Sequence, residues 1–308
     1  MINRQVEKVR LSNGKSLYTK YKEFKRSKPK KINRSFGGNS VINAILLLFG
    51  VFMGLPMLYA IISAFKPLEE LFVYPPRFFV RHPTIENFTL LFQHTAGLWV
   101  PFLRYVFNSI FICVIGTAGN VLFSSMAAYP LAKHNFPGKK LVFGMIVLSL
   151  LFSPKITLVP QYIIMAKLGW VNTYLSLIVP AIAVSLGIYL MKQFMEQIPV
   201  STLESARIDG ASEYRTFWSI VMPSVKPAWL TLIVFSFQNI WGNNGSAFIY
   251  NESLKVLPSV FAQISSGGIV RAGVGAAGSL FLLVPPVLVF ILTQRSVIET
   301  MVHAGIKE

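Results

Sequence analysis

Six stretches of about 20 residues that nearly lack charge constrain this chain more than any other feature, because a helix of that length crosses the hydrocarbon core of a bilayer. The first is VINAILLLFGVFMGLPMLYAIISAF, residues 41–65, and the second is YVFNSIFICVIGTAGNVLFSSMAAYPLA, residues 105–132. A third covers 141–165 and contains Pro154, Lys155 and Pro160; the fourth is TYLSLIVPAIAVSLGIYLM, residues 173–191. The fifth and sixth cover 226–243 and 273–293. The pattern predicts an all-α membrane protein with six transmembrane helices. At 308 residues, such a bundle leaves little chain for a separate soluble domain. Composition agrees: 13% of residues are charged, about half the share in soluble domains. The first run follows a 40-residue basic segment and lacks a small-residue cleavage site, so it reads as a retained span rather than a signal peptide.

Basic residues set the orientation, since cytoplasmic loops hold the excess of them. With the N-terminus inside, the tail, the 133–140 and 192–226 loops and the C-terminus hold 21 of the 29 Lys and Arg residues. Both termini are therefore expected in the cytoplasm of a cell whose inner or cytoplasmic membrane holds the chain. Two domains follow: a basic cytoplasmic tail, 1–40, and a six-span domain, 41–308. The net charge of +17 suits anionic lipid headgroups. Nucleic acid is not an expected partner, because no basic face with interleaved aromatics is present.

The residues offer little catalytic chemistry. Cys113, the only cysteine, sits among apolar neighbours and reads as a small core residue. His82, His94, His134 and His303 are scattered over both sides of the expected bundle, so no metal site is expected. No G-x-x-x-x-G-K-[ST] loop occurs, and FPGKK at 136–140 reads as a short connection. Hydrolysis of ATP by this chain, or a cofactor of its own, is not expected. The outer loop around LFVYPPRFFVRHPTIENF supplies Glu69, Glu70, Arg77, His82 and Glu86 without a nucleophile and base, paired acids or a metal cluster. The chain is not expected to be an enzyme. An ion-coupled secondary carrier acting without an ATPase is the alternative. Such carriers place ionisable groups at the midplane, whereas every Asp and Glu here falls in a loop or at a span end. Lys155, beside two prolines, reads as snorkelling from a kinked outer part of the third run.

One charged stretch stands between the fourth and fifth runs: LESARIDGASEYRTFWSIVMP, residues 203–223. Pro199 ends the preceding element, and Ser201 with Glu204 has capping-box spacing, so a helix is expected from near Thr202. Leu203, Ala206 and Ile208 give it an apolar side. Gly210 fits a helix end that needs positive φ. Ser212 is placed to cap a second helix, EYRTFWSIVM, which Pro223 should stop.

The order Glu204, Ser205, Ala206, three residues, Gly210, nine residues, Ile220, one residue, Met222, Pro223 resembles the EAA loop of permease subunits of binding-protein-dependent ABC importers. The family pattern is E-A-A, three residues, G, nine residues, I, one residue, L-P; Ser205 and Met222 are the departures. ARIDGAS, AAYPLAKHNFPGKK, VPQYIIMAKLGWVNTYLSLIVP and TMVHAGIKE extend the resemblance, over 41–308, to the carbohydrate-uptake, maltose-type branch. The resemblance implies a six-span permease whose loop, 199–223, carries a cytoplasmic coupling helix formed by Glu204, Ser205, Ala206, Arg207, Ile208, Asp209 and Gly210. It also implies two cytoplasmic ATPase subunits that hold the ATP and magnesium, a second, similar permease subunit, and an extracytoplasmic solute-binding protein. The substrate would be a sugar, in particular an oligosaccharide, moved by alternating access. FSFQNIWGNNGSAF supplies candidate substrate-path residues, Gln238, Asn239, Trp241, Asn243 and Asn244, since sugar hydroxyls pair with amides and sugar faces pack on rings. The same groups also suit interhelical hydrogen bonding and an interfacial Trp. The family's acidic W-N-D element is replaced here by Trp241, Gly242, Asn243 and Asn244.

Overall fold

The computed structural model describes residues 36–97 and 100–305. Nearly all of the basic tail and the last three residues lie outside the described residues. Helix α1 covers Phe36–Ala64. Its exposed Leu46, Leu47, Leu48, Phe52 and Met53 give it the surface of a lipid-facing helix. Through Leu58 the chain forms one unit, and from Tyr59 onward a second.

In the second unit, α2 covers Glu86–Ala96 and α3 Phe102–Lys133. Lys139–Ser149 (α4) and Pro154–Lys167 (α5) meet at 110°. The break has a local cause. Proline disfavours helical geometry in the residue before it; Ser153 is extended, and its Oγ accepts a hydrogen bond from the Lys155 N–H. Leu175–Ile182 (α6) and Ser185–Glu196 (α7) are separated by two residues off helical geometry, Ala183 and Val184. Val200–Ile208 is α8 and Glu213–Ser224 is α9, which meets α10, Lys226–Gly242, at 77°. Leu257–Ser265 is α11 and Ala272–Gly305 is α12.

Among the described residues, four helical stretches are long and apolar enough to cross a membrane: Gly38–Ala64, Phe102–Lys133, Leu175–Glu196 and Ala272–Gln294. The count reaches six if each bent pair, α4 with α5 and α9 with α10, is one span. The third run is thus bent at Pro154, whereas the fifth, 226–243, matches the single helix α10, and the 77° bend lies just before it at Val225. Alone, α10 has 17 residues, slightly short of the roughly 20 a crossing needs.

The centre of this unit is α3, which packs against α6, α7 and α10, while α10 packs in turn against α12. Polar side chains on α3 organise the loops at one end. Fully buried Asn108 donates to the carbonyls of Ser253 and Lys255 and accepts from the Tyr174 hydroxyl. Ser109 Oγ accepts from the Leu257 N–H, and Tyr105 Oη donates to Glu252. Further along, Asn120 Nδ2 donates to the Ala181 carbonyl at the α6–α7 break, 3.0 Å away. Its Oδ1 accepts from Ser124 Oγ. The break is stable because the backbone group it frees finds a partner. Small residues let helices meet closely: a Cβ on Gly275 would lie 2.8 Å from Ser265 Oγ, and one on Gly278 3.1 Å from the Phe261 ring.

Candidate functional site

The 199–223 loop leaves α7 after two residues and forms α8 against the end of α3. Pro199 occupies the N-cap position with extended geometry, so α8 begins at Val200, two residues before the sequence expectation. Proline's fixed φ suits this entry, and no side-chain cap forms. Ser201 is instead inside the helix, where its carbonyl accepts from Ser205 Oγ. The end follows the expected form. The Ala211 N–H reaches the Ala206 carbonyl at 2.9 Å, the Gly210 N–H reaches Arg207, and Gly210 has φ +77°. That is a Schellman ending, with glycine in the left-handed position. Ser212 Oγ then accepts from the Arg215 N–H and starts α9. Residues 217–221 are wound as a π turn, and α9 runs one residue past Pro223. Pro223 has no N–H to donate backward, which suits a locally widened helix.

Leu203 and Ala206 are buried, and Leu203 joins Tyr129, Met191, Met195, Phe217, Val221 and Val225 in a hydrophobic cluster. Glu204, Ser205, Arg207, Asp209 and Gly210 are exposed, and so is Ile208, at 86%. Ile208 therefore does not share the apolar side with Leu203. Five residues at about 100° each place it roughly 140° around the helix.

Glu213 ties the loop to α3. Tyr129 Oη donates to one carboxylate oxygen at 2.9 Å, and Arg207 donates to the other from Nη2 at 2.8 Å and Nε at 3.2 Å. His134 Nε2 lies 3.7 Å away. Lys133 Nζ donates to the carbonyls of Glu196 and Ile198, a cation at a helix C-terminus. The Tyr129 hydrogen bond first, then the Arg207 hydrogen bond and the charges of Arg207 and His134, hold the Glu213 carboxyl below the usual carboxylate range. A lowered folded-state pKa stabilises the fold above the unfolded carboxylate value, about 4.3, and that stabilisation is lost as pH falls through the folded value. Tyr129→Phe is expected to lower stability by about 1 kcal/mol at neutral pH. In thermal unfolding of the purified protein, the gap from wild type should stay constant from pH 8 to 5 and narrow as pH falls below the unfolded carboxylate value through the lower folded one. A gap that does not narrow in acid would place the Tyr129 contribution elsewhere.

A cavity of about 440 Å³ lies among α3, the α4–α5 bend, the α6–α7 break and α10. Of the five candidate substrate-path residues, Asn239, Trp241 and Asn243 line it, and Gln238 and Asn244 do not. Trp241 is 6% exposed; its indole N–H donates to the Leu282 carbonyl and its ring stacks on Phe237. Asn243 and Asn244 accept from the N–H groups of Gly245 and Ser246, so both oxygens shape the turn after α10. The cavity also brings in Gln161, Ser236 and Asn120, none of which stood out in the sequence. Ser236 was findable: it stands three residues before Asn239, on the same helix face.

Elsewhere the charged groups are engaged or dispersed. Glu70 accepts from the N–H groups of Arg81 and His82 at 3.0 Å each, and Lys66 Nζ donates to the Arg77 carbonyl above the Tyr59 ring. Lys155 is exposed in the first turn of α5 and does not line the cavity. Among the described residues no three His, Cys, Asp or Glu side chains form a metal-holding group.

Residues 120–297 match the family described as binding-protein-dependent transport system inner membrane component. The chain is 29% identical over 260 residues to the arabinooligosaccharides transport system permease protein AraQ of Halalkalibacterium halodurans, covering 82% of this chain and 90% of that one. It is 36% identical over 218 residues to protein LplC of Bacillus subtilis, covering 68% and 70%. The fold is similar to a chain of a bacterial ABC transporter that imports the acidic polysaccharide alginate, with a TM-score of 0.68, 19% identity, and coverage of 87% and 99%. It is also similar, at a TM-score of 0.55 and 15% identity over 83% and 91%, to a chain of a bacterial alginate ABC transporter in complex with an alginate pentasaccharide-bound periplasmic protein.

Proposed function

Because the chain belongs to the family of binding-protein-dependent transport system inner membrane components, we propose that it is the six-span permease subunit of an ATP-driven ABC importer of a sugar, in particular an oligosaccharide. The observation that carries this reading is α8: one face is buried at Leu203 and Ala206 and anchored on α3 through Leu203 and the Glu213 ties, and the other offers Glu204, Ser205, Arg207, Ile208 and Asp209 outward. An exposed Ile208 rimmed by charge, on a helix fixed from behind, suits a cleft on another protein. That protein would be a cytoplasmic ATPase, with one copy for this chain and one for a second, similar permease. Residues 204–210 are then the coupling segment, and both termini are cytoplasmic. An extracytoplasmic solute-binding protein delivers the sugar, as the alginate complex and the sugar-transporting relatives suggest by analogy.

In this reading ATP acts only in the partners. Closure of the two ATPases on ATP moves each coupling helix as a rigid body, and the permease pair exchanges inward- and outward-facing access. The covalent path from α8 through α9 into α10 ends at the cavity. A neutral cavity wall also suits an ATP-driven importer better than an ion-coupled carrier, which needs a titratable or ion-holding group there.

The test is affinity purification of the full chain from native membranes in mild detergent, with partners identified by mass spectrometry. An ATPase and a second permease are expected to co-purify with the wild type, and the ATPase to be lost with Glu204→Arg. Purification of the chain without any ATPase would sink the importer reading.

A further inference from the structure

We infer that the cavity beside α10 is a seat, within this chain itself, for an uncharged sugar segment, and that it rejects sugars bearing carboxylate, phosphate or sulfonate groups. The inference rests on the importer reading and adds to it a location and a substrate class. Three observations carry it.

The first is charge. No Asp, Glu, His, Lys or Arg is among the described residues that line the cavity. An anionic group entering it would lose water and gain no cation, which strongly disfavours the charged form. Lys155 lies between the lining residues Pro154 and Thr157 but is not itself part of the wall.

The second is unspent hydrogen-bonding capacity. Ser236 is 6% exposed and lines the cavity, and its Oγ has no partner among the described residues. A buried hydroxyl without a partner is unfavourable, but this one is screened from the cavity and would reach a ligand only after a turn of its side chain or a shift of α10. Asn239, one turn along α10, and Gln161 on α5 also line the cavity, and neither amide has a hydrogen bond to another described residue. Other polar wall groups are already engaged: Asn120 with Ala181 and Ser124, Ser109 with Leu257. The free groups on the wall are thus two amides, each of which both donates and accepts, as sugar hydroxyls require.

The third is shape and surface. The cavity volume, about 440 Å³, lies in the range of small-ligand sites, about 300–1,000 Å³. Phe152 and Phe235 give the wall aromatic faces on which the apolar faces of a sugar ring pack.

The test is equilibrium retention of tritiated trisaccharides by the purified, assembled complex in detergent, without solute-binding protein. The neutral probes are maltotriose, arabinotriose and chitotriose, and the acidic probe is trigalacturonate. At least one neutral probe is expected to be retained tenfold or more above trigalacturonate. Gln161→Leu and Asn239→Leu should each cut that retention tenfold or more, in complexes that elute and melt as the wild type does. Equal retention of trigalacturonate would overturn the charge rule. Retention of a neutral sugar untouched by both substitutions, or retention of no saccharide at all, would overturn the seat. These failures differ from failure of the importer reading, in which no ATPase-containing complex could be purified to begin with.

Discussion

Gly210→Asp is expected to reduce ATP-driven sugar uptake by more than 100-fold while leaving the folded chain almost intact. The expectation comes from comparing two effects at one residue. Gly210 adopts φ +77°, yet nothing lies within 4 Å of where a Cβ would stand. The substitution therefore meets no clash and carries only the strain of a left-handed non-glycine residue, about 1–2 kcal/mol. Such a change shifts the thermal midpoint of a chain this size by a few degrees. The same residue ends the exposed helix that the proposed ATPase must grip, and aspartate there adds a charge beside Asp209. Reconstituted uptake and thermal melting, measured on the same preparation, separate the two effects. Gly210→Ala is the control, since it carries the backbone strain without the charge. Uptake by Gly210→Asp within twofold of wild type would show that this loop is a solvated connector and transmits nothing.

Gly187→Ala is expected to produce a large loss of stability from a single added methyl group. Its Cβ would lie 2.3 Å from Ser124 Oγ and 2.5 Å from Asn120 Oδ1. Those atoms cannot simply rotate away, because Asn120 also holds the Ala181 carbonyl at the α6–α7 break. Overpacking of about 1–3 kcal/mol adds to a freed buried carbonyl of about 1–3 kcal/mol. The sum, on the order of 4 kcal/mol, corresponds to roughly 10 °C in the thermal midpoint. Gly119→Ala is the contrast: its Cβ would meet Ile182 Cγ1 at 2.6 Å and Cδ1 at 2.7 Å, apolar carbons that hold no hydrogen bond, so only the overpacking cost applies. Melting curves in detergent should rank Gly187→Ala well below Gly119→Ala. Equal midpoints would mean that the α3–α7 contact yields more easily than its geometry implies.

Hydropathy made the bundle legible because a span must be apolar over its whole length. It did not reveal direction: a kink beside Pro154 was expected but not its 110°, and the joint at Val225 falls between the expected stop at Pro223 and the start of the fifth run at 226. The end of α8 was legible for a local reason: Gly210 and Ser212 act through their own backbone and hydroxyl, and no tertiary partner is needed. Its start was misplaced because Pro199 fixes the entry by its ring, and the Ser201 and Glu204 pattern was not used. Ile208 looked like part of the buried face by residue type; helical angle puts it outside. The Glu213 ties to Tyr129 and Arg207 join residues up to 84 apart in the chain, a pairing that spacing alone does not encode. At the cavity, Trp241 attracted attention because an indole is conspicuous, whereas Ser236 is a small hydroxyl in an apolar helix and carries no motif. Only the packing around it shows that its hydrogen bond is unspent.

The 77° bend at Val225 also sets a mechanical gain. Ser236 stands eleven residues beyond that joint, about 16 Å along α10 at the helical rise. A tilt of about 10° at the joint sweeps Ser236 through about 3 Å, roughly the length of one hydrogen bond. A small angular change at the joint is therefore enough to bring the α10 wall into contact with a sugar or to withdraw it.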